Sequence, residues 1–387
     1  MKKFAKMSLV AAVAVAGLTT TSSAKALEEA IKNVDVSGTV VYRYDDRQFD
    51  QNTKDKDLNN YKIGLTLKSK VNDDVTAVTR FIVGSDTDAG FAGLNHAEGP
   101  DAQAKVTLSN VYFSYTGIAN TTVNVGKQGL TTPWTVAIDA DGNEQTGTGI
   151  LALTNVGPVT LAAAYFNQTN LDKSSDVGVG DGSENVVTLG AMGNIGPVAL
   201  DAWYLDRDDL YDTYTIGALA KFDISDVKLS IGARHTELDL DNVSADDSLT
   251  KVELGAKMGI FGANIGYGWT DDEGGIAAED NDAKTGFQGW TMNLNGVNDA
   301  SLLKLNVNAQ VMPKLNLALN YNILDRDNDS TERPDTKDTE LYLQASYQMS
   351  KNFGGYIRFG QADLEDGQTD GDDNDGTIGR LQVQYSF

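Results

Sequence analysis

The sequence predicts an all-β chain: a transmembrane antiparallel up-and-down β-barrel of about eighteen strands, with long extracellular loops and the third loop folded into the lumen. Three observations predict it. Apolar residues recur with a period of two along most of the chain, connections alternate between short and long, and tyrosines gather near strand ends.

In order, the predicted strands span 34–44, 60–71, 75–84, 104–116, 121–127, 148–155, 159–167, 185–193, 198–206, 211–222, 228–237, 248–259, 263–270, 301–311, 315–324, 338–348, 353–362 and 377–387. Side chains alternate across a strand, so each such segment has one apolar and one wet face. In 60–71 the apolar face is Tyr61, Ile63, Leu65 and Leu67; in 301–311 it is Leu303, Leu305, Val307, Ala309 and Val311. The segment 315–324 repeats the pattern with Leu315, Leu317, Leu319, Tyr321 and Ile323, and in 338–348 the aromatic Tyr342 joins the polar side. The last segment sets Leu381, Val383, Tyr385 and Phe387 against Arg380, Gln382, Gln384 and Ser386. A soluble domain rarely ends flush with an apolar strand. A terminal Phe with an aromatic two residues before it resembles the signal read by the machinery that assembles outer-membrane barrels.

Short connections are Asn72-Asp73-Asp74, Gly117-Ile118-Ala119-Asn120, Val156-Gly157-Pro158, Asn194-Ile195-Gly196-Pro197 and Met312-Pro313-Lys314. The intervening ones are mostly long and acidic, as in 85–103, 128–147, 168–184, 271–300 and 363–376, with 207–210 the exception. A barrel with both termini on one side requires this alternation, whereas a secreted β-sandwich has no reason for it. Tyr42, Tyr44, Tyr112, Tyr115, Tyr204, Tyr211, Tyr214, Tyr267 and Tyr356 lie near strand ends, where a ring with a polar tip suits the membrane boundary.

The N-terminus reads as a signal peptide over residues 1–24. Met1-Lys2-Lys3-Phe4-Ala5-Lys6 is basic, Leu9 to Leu18 is apolar, and cleavage falls after Ala24 or Ala26 among small residues. An N-terminal membrane anchor fails on length, since spanning takes roughly 20 apolar residues. Residues 25–387 then form a single barrel domain. The chain has 31 basic and 55 acidic residues, a net charge of −24, which argues against nucleic acid as a partner. There is no cysteine, so disulfides and thiolate metal sites are excluded. A mean hydropathy of −0.30 suits strands that are apolar on one side only.

Eighteen strands enclose water, whereas about eight are filled by their own side chains. The wet faces carry Arg43, Lys62, Lys68, Lys70, Arg80, Arg234, Lys304, Arg358 and Arg380, and the acidic excess lies in connections. From these, Arg43, Lys62 and Arg80 are expected to form a basic pore wall. The loop 128–147 is rich in apolar residues for an outer loop, with Leu130, Trp134, Val136 and Ile138, so it is expected to fold inward and pack them on the wall. Asp139, Asp141 and Glu144 would then be the acidic lip of a constriction, facing that wall and filtering solutes by charge and size.

The segment 27–38 with Tyr42-Arg43-Tyr44-Asp45 resembles the mature start of the major outer-membrane porin of Campylobacter. The resemblance continues in Val111-Tyr112-Phe113-Ser114-Tyr115-Thr116, Gly126-Lys127-Gln128, Trp134, Ala137-Ile138-Asp139, Gly147-Thr148-Gly149, Thr160-Leu161-Ala162-Ala163 and the final Tyr385-Ser386-Phe387. It implies an eighteen-stranded, cation-selective homotrimer whose third loop narrows the channel, with Asp139 a constriction residue and a calcium ion there. Asp141-Gly142-Asn143-Glu144 departs from the family pattern. Carboxylates suit calcium; Asp139, Asp141, Asp176 and Asp272 are the candidate ligands, with Asp172, Asp271 and Glu273 further ones. Asp370–Gly376 half-matches a calcium loop but lacks Gly at the sixth position and Glu at the twelfth, which is Leu381, so an EF-hand is rejected.

Catalysis has little to stand on. His96 and His235 are the two histidines, and no nucleophile motif or cysteine accompanies them. The expected function is a general diffusion porin of the Gram-negative outer membrane that needs no cofactor. Its partners would be outer-membrane lipid, small hydrophilic solutes and ions, further copies of itself, and the barrel assembly machinery through Phe387. The alternatives are a surface adhesin with acidic ion-binding loops and a substrate-specific channel.

Overall fold

The computed structural model describes residues 34–50, 56–85, 88–93, 105–177, 180–241, 246–327, 335–365 and 373–387. The signal peptide with its two cleavage sites, His96, and Asp370, Gly371 and Asp372 lie outside the described residues. The strands are β1 (Val34–Phe49), β2 (Lys56–Lys70), β3 (Val75–Gly84), β4 (Ala92–Gly93), β5 (Lys105–Ile118), β6 (Thr121–Gly129), β7 (Thr146–Val156), β8 (Val159–Thr169), β9 (Val186–Ile195) and β10 (Val198–Arg207). They continue as β11 (Tyr211–Ile224), β12 (Val227–Leu240), β13 (Asp246–Met258), β14 (Phe261–Thr270), β15 (Ala300–Met312), β16 (Leu315–Arg326), β17 (Thr336–Ser350), β18 (Phe353–Glu365) and β19 (Asp373–Ser386). One helical turn, α1 (Leu171–Ser174), lies between β8 and β9.

Each long strand pairs antiparallel with its sequence neighbours, and β19 returns to β1 in unbroken register from Thr39 opposite Ser386 to Phe49 opposite Gly376. Gly38 and Phe387 exchange backbone hydrogen bonds of 2.9 and 3.0 Å at this seam. Eighteen long strands therefore close the ring, as the alternation predicts. The two-residue β4 is an addition: it pairs with Asn60 and Tyr61 of β2 just past the end of β3.

All eighteen predicted segments form strands. Several run further at their long-loop ends, β1 to Phe49 and β12 to Leu240. There the outward face turns polar, at Asp46 and Gln48 in β1 and at Glu237 and Asp239 in β12, so the outward apolar alternation stops while the backbone ladder continues. The short connections tighten to two residues where a left-handed residue fits, as in Gly157-Pro158 (φ 59° at Gly157) and Gly196-Pro197 (φ 58° at Gly196).

The apolar faces point out: Phe113, Leu319, Leu343, Ile357 and Phe359 are all exposed on the barrel exterior, the band that lipid covers. Tyr115, Tyr204, Tyr214 and Tyr267 are exposed with them. Tyr211 is buried instead, its hydroxyl donating to Glu279, and Tyr356 packs against Arg358 of the inner wall. These two tyrosines serve the interior rather than a girdle.

Candidate pore constriction

The third loop, residues 130–145, turns inward because two of its apolar residues have a seat there. Leu130 and Trp134 are buried with Phe166, Leu171, Val186, Leu205, Tyr211 and Leu238. Ile138 stays exposed, so Leu130 and Trp134 do the anchoring. The far end of the loop is fastened by charge. Glu144 is 1% exposed. It takes Arg80 Nη2 on Oε1 at 2.7 Å, Arg80 Nε on Oε2 at 2.9 Å and Lys62 Nζ on Oε1 at 2.9 Å, while the Ser109 hydroxyl donates to Oε2. Burial alone would raise the Glu144 pKa; hydrogen bonds from Arg80 and the charges of Lys62 and Arg80 outweigh it and hold the carboxyl below its ordinary value.

The expected lip therefore divides. Glu144 does not face the opening; it is the rivet that fixes the loop to β2, β3 and β5. Asp141 does face it, with a side chain 73% exposed, 3.2 Å from Arg43 and 3.7 Å from Arg380. Asp139 is turned into its own loop, where Oδ1 accepts the Asn143 backbone N–H at 2.8 Å and Oδ2 accepts the Asn143 side-chain amide at 2.9 Å. The wall needs the matching correction. Arg43, Lys62 and Arg80 all point inward, but none stands free across water from the loop. Lys62 and Arg80 share Glu144, Lys62 also donates to the Gly142 carbonyl, and Arg43 donates to Gln382 (2.8 Å), Asp141 and the Ala140 carbonyl. The charges that would oppose each other have closed onto one another.

A second inward loop, residues 271–299, went unread in the sequence. Glu279, 2% exposed, accepts Arg207 Nη1 at 2.7 Å, the Ser175 hydroxyl at 2.6 Å and the Tyr211 hydroxyl. From the other side Glu340 of β17, 1% exposed, accepts the Trp290 and Thr291 backbone N–H groups at 2.6 and 2.7 Å. Between these ties the Phe287 ring fills a niche over Gly266 and Gly268, where an added Cβ would lie 2.9 and 2.7 Å from it. Met292 and Leu294 pack with Leu249, Leu302 and Leu324. The two loops also hold each other: the Glu279 N–H donates to the Trp134 carbonyl (2.9 Å), the Thr285 N–H to the Pro133 carbonyl (3.0 Å) and the Ala140 N–H to Asp282 (2.7 Å). The signal was present in Phe287, Trp290, Met292 and Leu294, apolar residues in an otherwise acidic loop.

Beside the joined loops a water-accessible space of about 670 Å³ remains. The loops present Asp141, Asp282 and Trp290 to it; the strands present Lys251, Lys304, Arg358 and Arg380, with the acidic Glu253 among them. Acidic loop residues thus share this space with a mainly basic wall, which is built by β13, β15, β18 and β19 and not by β1–β3.

Carboxylates crowd where the loops meet. Burial pushes Asp139 up to about 6, with the Asp141 and Asp282 charges adding to the rise. Burial, then the charge of Asp139, pushes Asp280 up to about 8, and its Oδ2 is buried without a hydrogen-bond partner among the described residues. Asp176 is raised by burial and by the Asp141 and Asp282 charges, although the Asn281 N–H donates to it. Asp272 stands apart, fully exposed, with Asp271 and Glu273 as its acidic neighbours. Among the described residues no three carboxylates or imidazoles lie close enough to hold a metal ion. Both Asp139 oxygens are already taken by Asn143. As placed, the described residues do not bring three ligands together at the calcium site implied by the resemblance. His235 sits half-exposed on β12, 3.6 Å from Glu237 and 2.7 Å from the Thr250 hydroxyl, a surface pair.

The sequence model of the Campylobacter major outer membrane protein family matches residues 1–384. No curated protein matches the sequence. Among solved structures, the chain is similar to a BenF-like porin from Pseudomonas fluorescens Pf-5 (15% identity, TM-score 0.75, covering 92% of this chain and 99% of that one). It is also similar to OccAB4 of Acinetobacter baumannii (15%, 0.71, 92% and 98%) and to OpdK of Pseudomonas aeruginosa, solved with vanillate (16%, 0.73, 92% and 99%). At these identities the likeness is one of fold.

Proposed function

The chain belongs to the Campylobacter major outer membrane protein family, a family of porin-type barrels in the Gram-negative outer membrane, and from that premise we propose that it is a general diffusion porin. Small hydrophilic solutes and ions cross passively, with a preference for cations. One observation carries the reading: the inward loops leave an aqueous space of about 670 Å³ beside them, lined by charged and amide side chains. The cation preference would arise at the loop junction, where Asp141 and Asp282 line the aqueous space and project negative potential into it, and where Asp139, Asp176 and Asp280 add to that potential as they lose their protons. The family resemblance also supports a homotrimer and recognition of Phe387 by the barrel assembly machinery, with residues 1–24 removed on export.

The test is single-channel current in a planar bilayer with a salt gradient, using purified, unheated protein. Ohmic steps in groups of three with a cation-favouring reversal potential are expected. Silence from folded protein would overturn the reading and favour a surface adhesin. A second reading, a substrate-specific channel, is favoured by the unpaired cations of the inner wall, and the similar OpdK was solved with vanillate.

A further inference from the structure

Arg358 is the unbalanced charge of the inner wall. It stands directly opposite Arg380 in the β18–β19 register, and like charges facing each other across a ladder repel. Arg380 is neutralised, 2.5 Å from Asp45 and 3.7 Å from Asp141. Arg358 is in no ion pair among the described residues. Its Nε donates to the Gln344 amide at 2.8 Å, and its guanidinium lies 4.7, 5.0 and 5.4 Å from the ring centres of Trp290, Tyr342 and Tyr356. Rings attract a cation without cancelling its charge. They fix the guanidinium plane and leave Nη1 and Nη2, which have no hydrogen-bond partner among the described residues, for the aqueous space that Arg358 lines. Lys304 lines the same space from β15. Among the described residues it makes no hydrogen bond or ion pair; the Phe287 ring lies 4.5 Å away, and the charges of Glu253, Glu340 and Asp282 reach it from further off. Arg358, a held cation without an ion-pair partner among the described residues, thus offers the N–H groups of Nη1 and Nη2 to water, and Lys304 stands in the same lining.

We propose that this stretch of wall is a docking station for small carboxylate solutes. The carboxylate takes Nη1 and Nη2 of Arg358 side by side, the planar geometry that guanidinium favours, while Lys304 adds attraction from the neighbouring strands. The station rests on the porin reading and deepens it. Small cations still prefer the acidic side of the lumen, and a carboxylate gains a resting point on the other.

The probe is benzoate, compared with benzyl alcohol of like shape and no charge, on single channels in potassium chloride. Benzoate is expected to interrupt the wild-type current saturably while benzyl alcohol does not. Arg358→Gln should raise the half-blocking concentration about tenfold or more, since hydrogen bonds to charged groups are the stronger ones. Arg358→Lys should recover only part of the block because the paired geometry is lost, and Lys304→Gln, which carries the comparison if Arg358→Gln yields no channels, should weaken it several-fold. Equal effects of benzoate and benzyl alcohol, or unchanged half-blocking concentrations in the variants, would overturn the station while leaving the porin standing. A wild-type chain that passes no current at all would overturn both.

Discussion

Arg80 and Glu144 meet side-on, Nη2 2.7 Å from Oε1 and Nε 2.9 Å from Oε2, and this pair decides where the third loop can be. The arginine springs from β3 and the glutamate from the end of the loop, so the barrel wall dictates the loop's path. Gly64 of β2 leaves room for the guanidinium; a Cβ there would lie 2.5 Å from Arg80 Nη2.

Glu144→Gln should therefore loosen the constriction. It leaves Lys62 and Arg80 without their carboxylate, and breaking one partner of a buried pair costs about 3–5 kcal/mol. Greater open-channel noise and a lower melting temperature are expected. Quiet currents with unchanged melting would show that Trp134 and the second loop suffice to hold it.

The second loop should prove as important as the third. Glu279→Gln weakens its tie to Arg207 and Tyr211, both buried. Larger conductance and faster proteolysis within 271–299 are expected; if neither changes, Glu340 and Phe287 hold the loop without it.

At Gly268, substitution by Val would drive a side chain into the Phe287 ring, already only 2.7 Å from an added Cβ. Overpacking of this kind costs about 1–3 kcal/mol. Thermal melting should fall, and the second substitution Phe287→Ala should restore part of the loss if ring and niche belong together.

Selectivity should follow pH with a definite sign. Asp139, raised to about 6, and Asp280, raised to about 8, both gain negative charge as pH rises. Reversal potentials measured at intervals from pH 5 to pH 9 should thus show cation preference increasing, in two steps. Stability runs the other way. The folded chain keeps protons that the unfolded chain releases above about pH 4, so these two groups lower stability as pH rises from about 4 to about 8. Asp280→Asn should remove the upper step alone.

Replacing Asp139 and Asp141 together with Asn tests whether the third loop is the charge filter. A reduced cation-to-anion permeability ratio is expected. If the ratio is unchanged, the filter lies with Asp176, Asp280 and Asp282.

The barrel was legible because its physics is local. Alternation in 315–324 places Leu317 and Leu319 outside and Asn320 and Asn322 inside whatever the rest of the chain does, and it also placed Arg43, Lys62, Arg80 and Arg358 on the inner face. Partners were not legible. Glu144 and Arg80 lie 64 residues apart, in a loop that Trp134 seats against strands far along the chain, and the bareness of Gly266 and Gly268 has meaning only beside the Phe287 ring. The apolar criterion applied to residues 128–147 holds equally for residues 271–299, and the acidity of that segment masked it.

The seam between β1 and β19 carries its own register key: Asp45 faces Arg380 and is bonded to it, and Arg43 faces Gln382 and is bonded to it. A slip by one residue would turn these inward side chains toward lipid and bring apolar ones into water. Ring closure therefore works as a proofreading step. A sheet missing a hairpin, or joined out of step, keeps a bare edge open to proteases and misplaced partners, and only the correctly matched ends hide it.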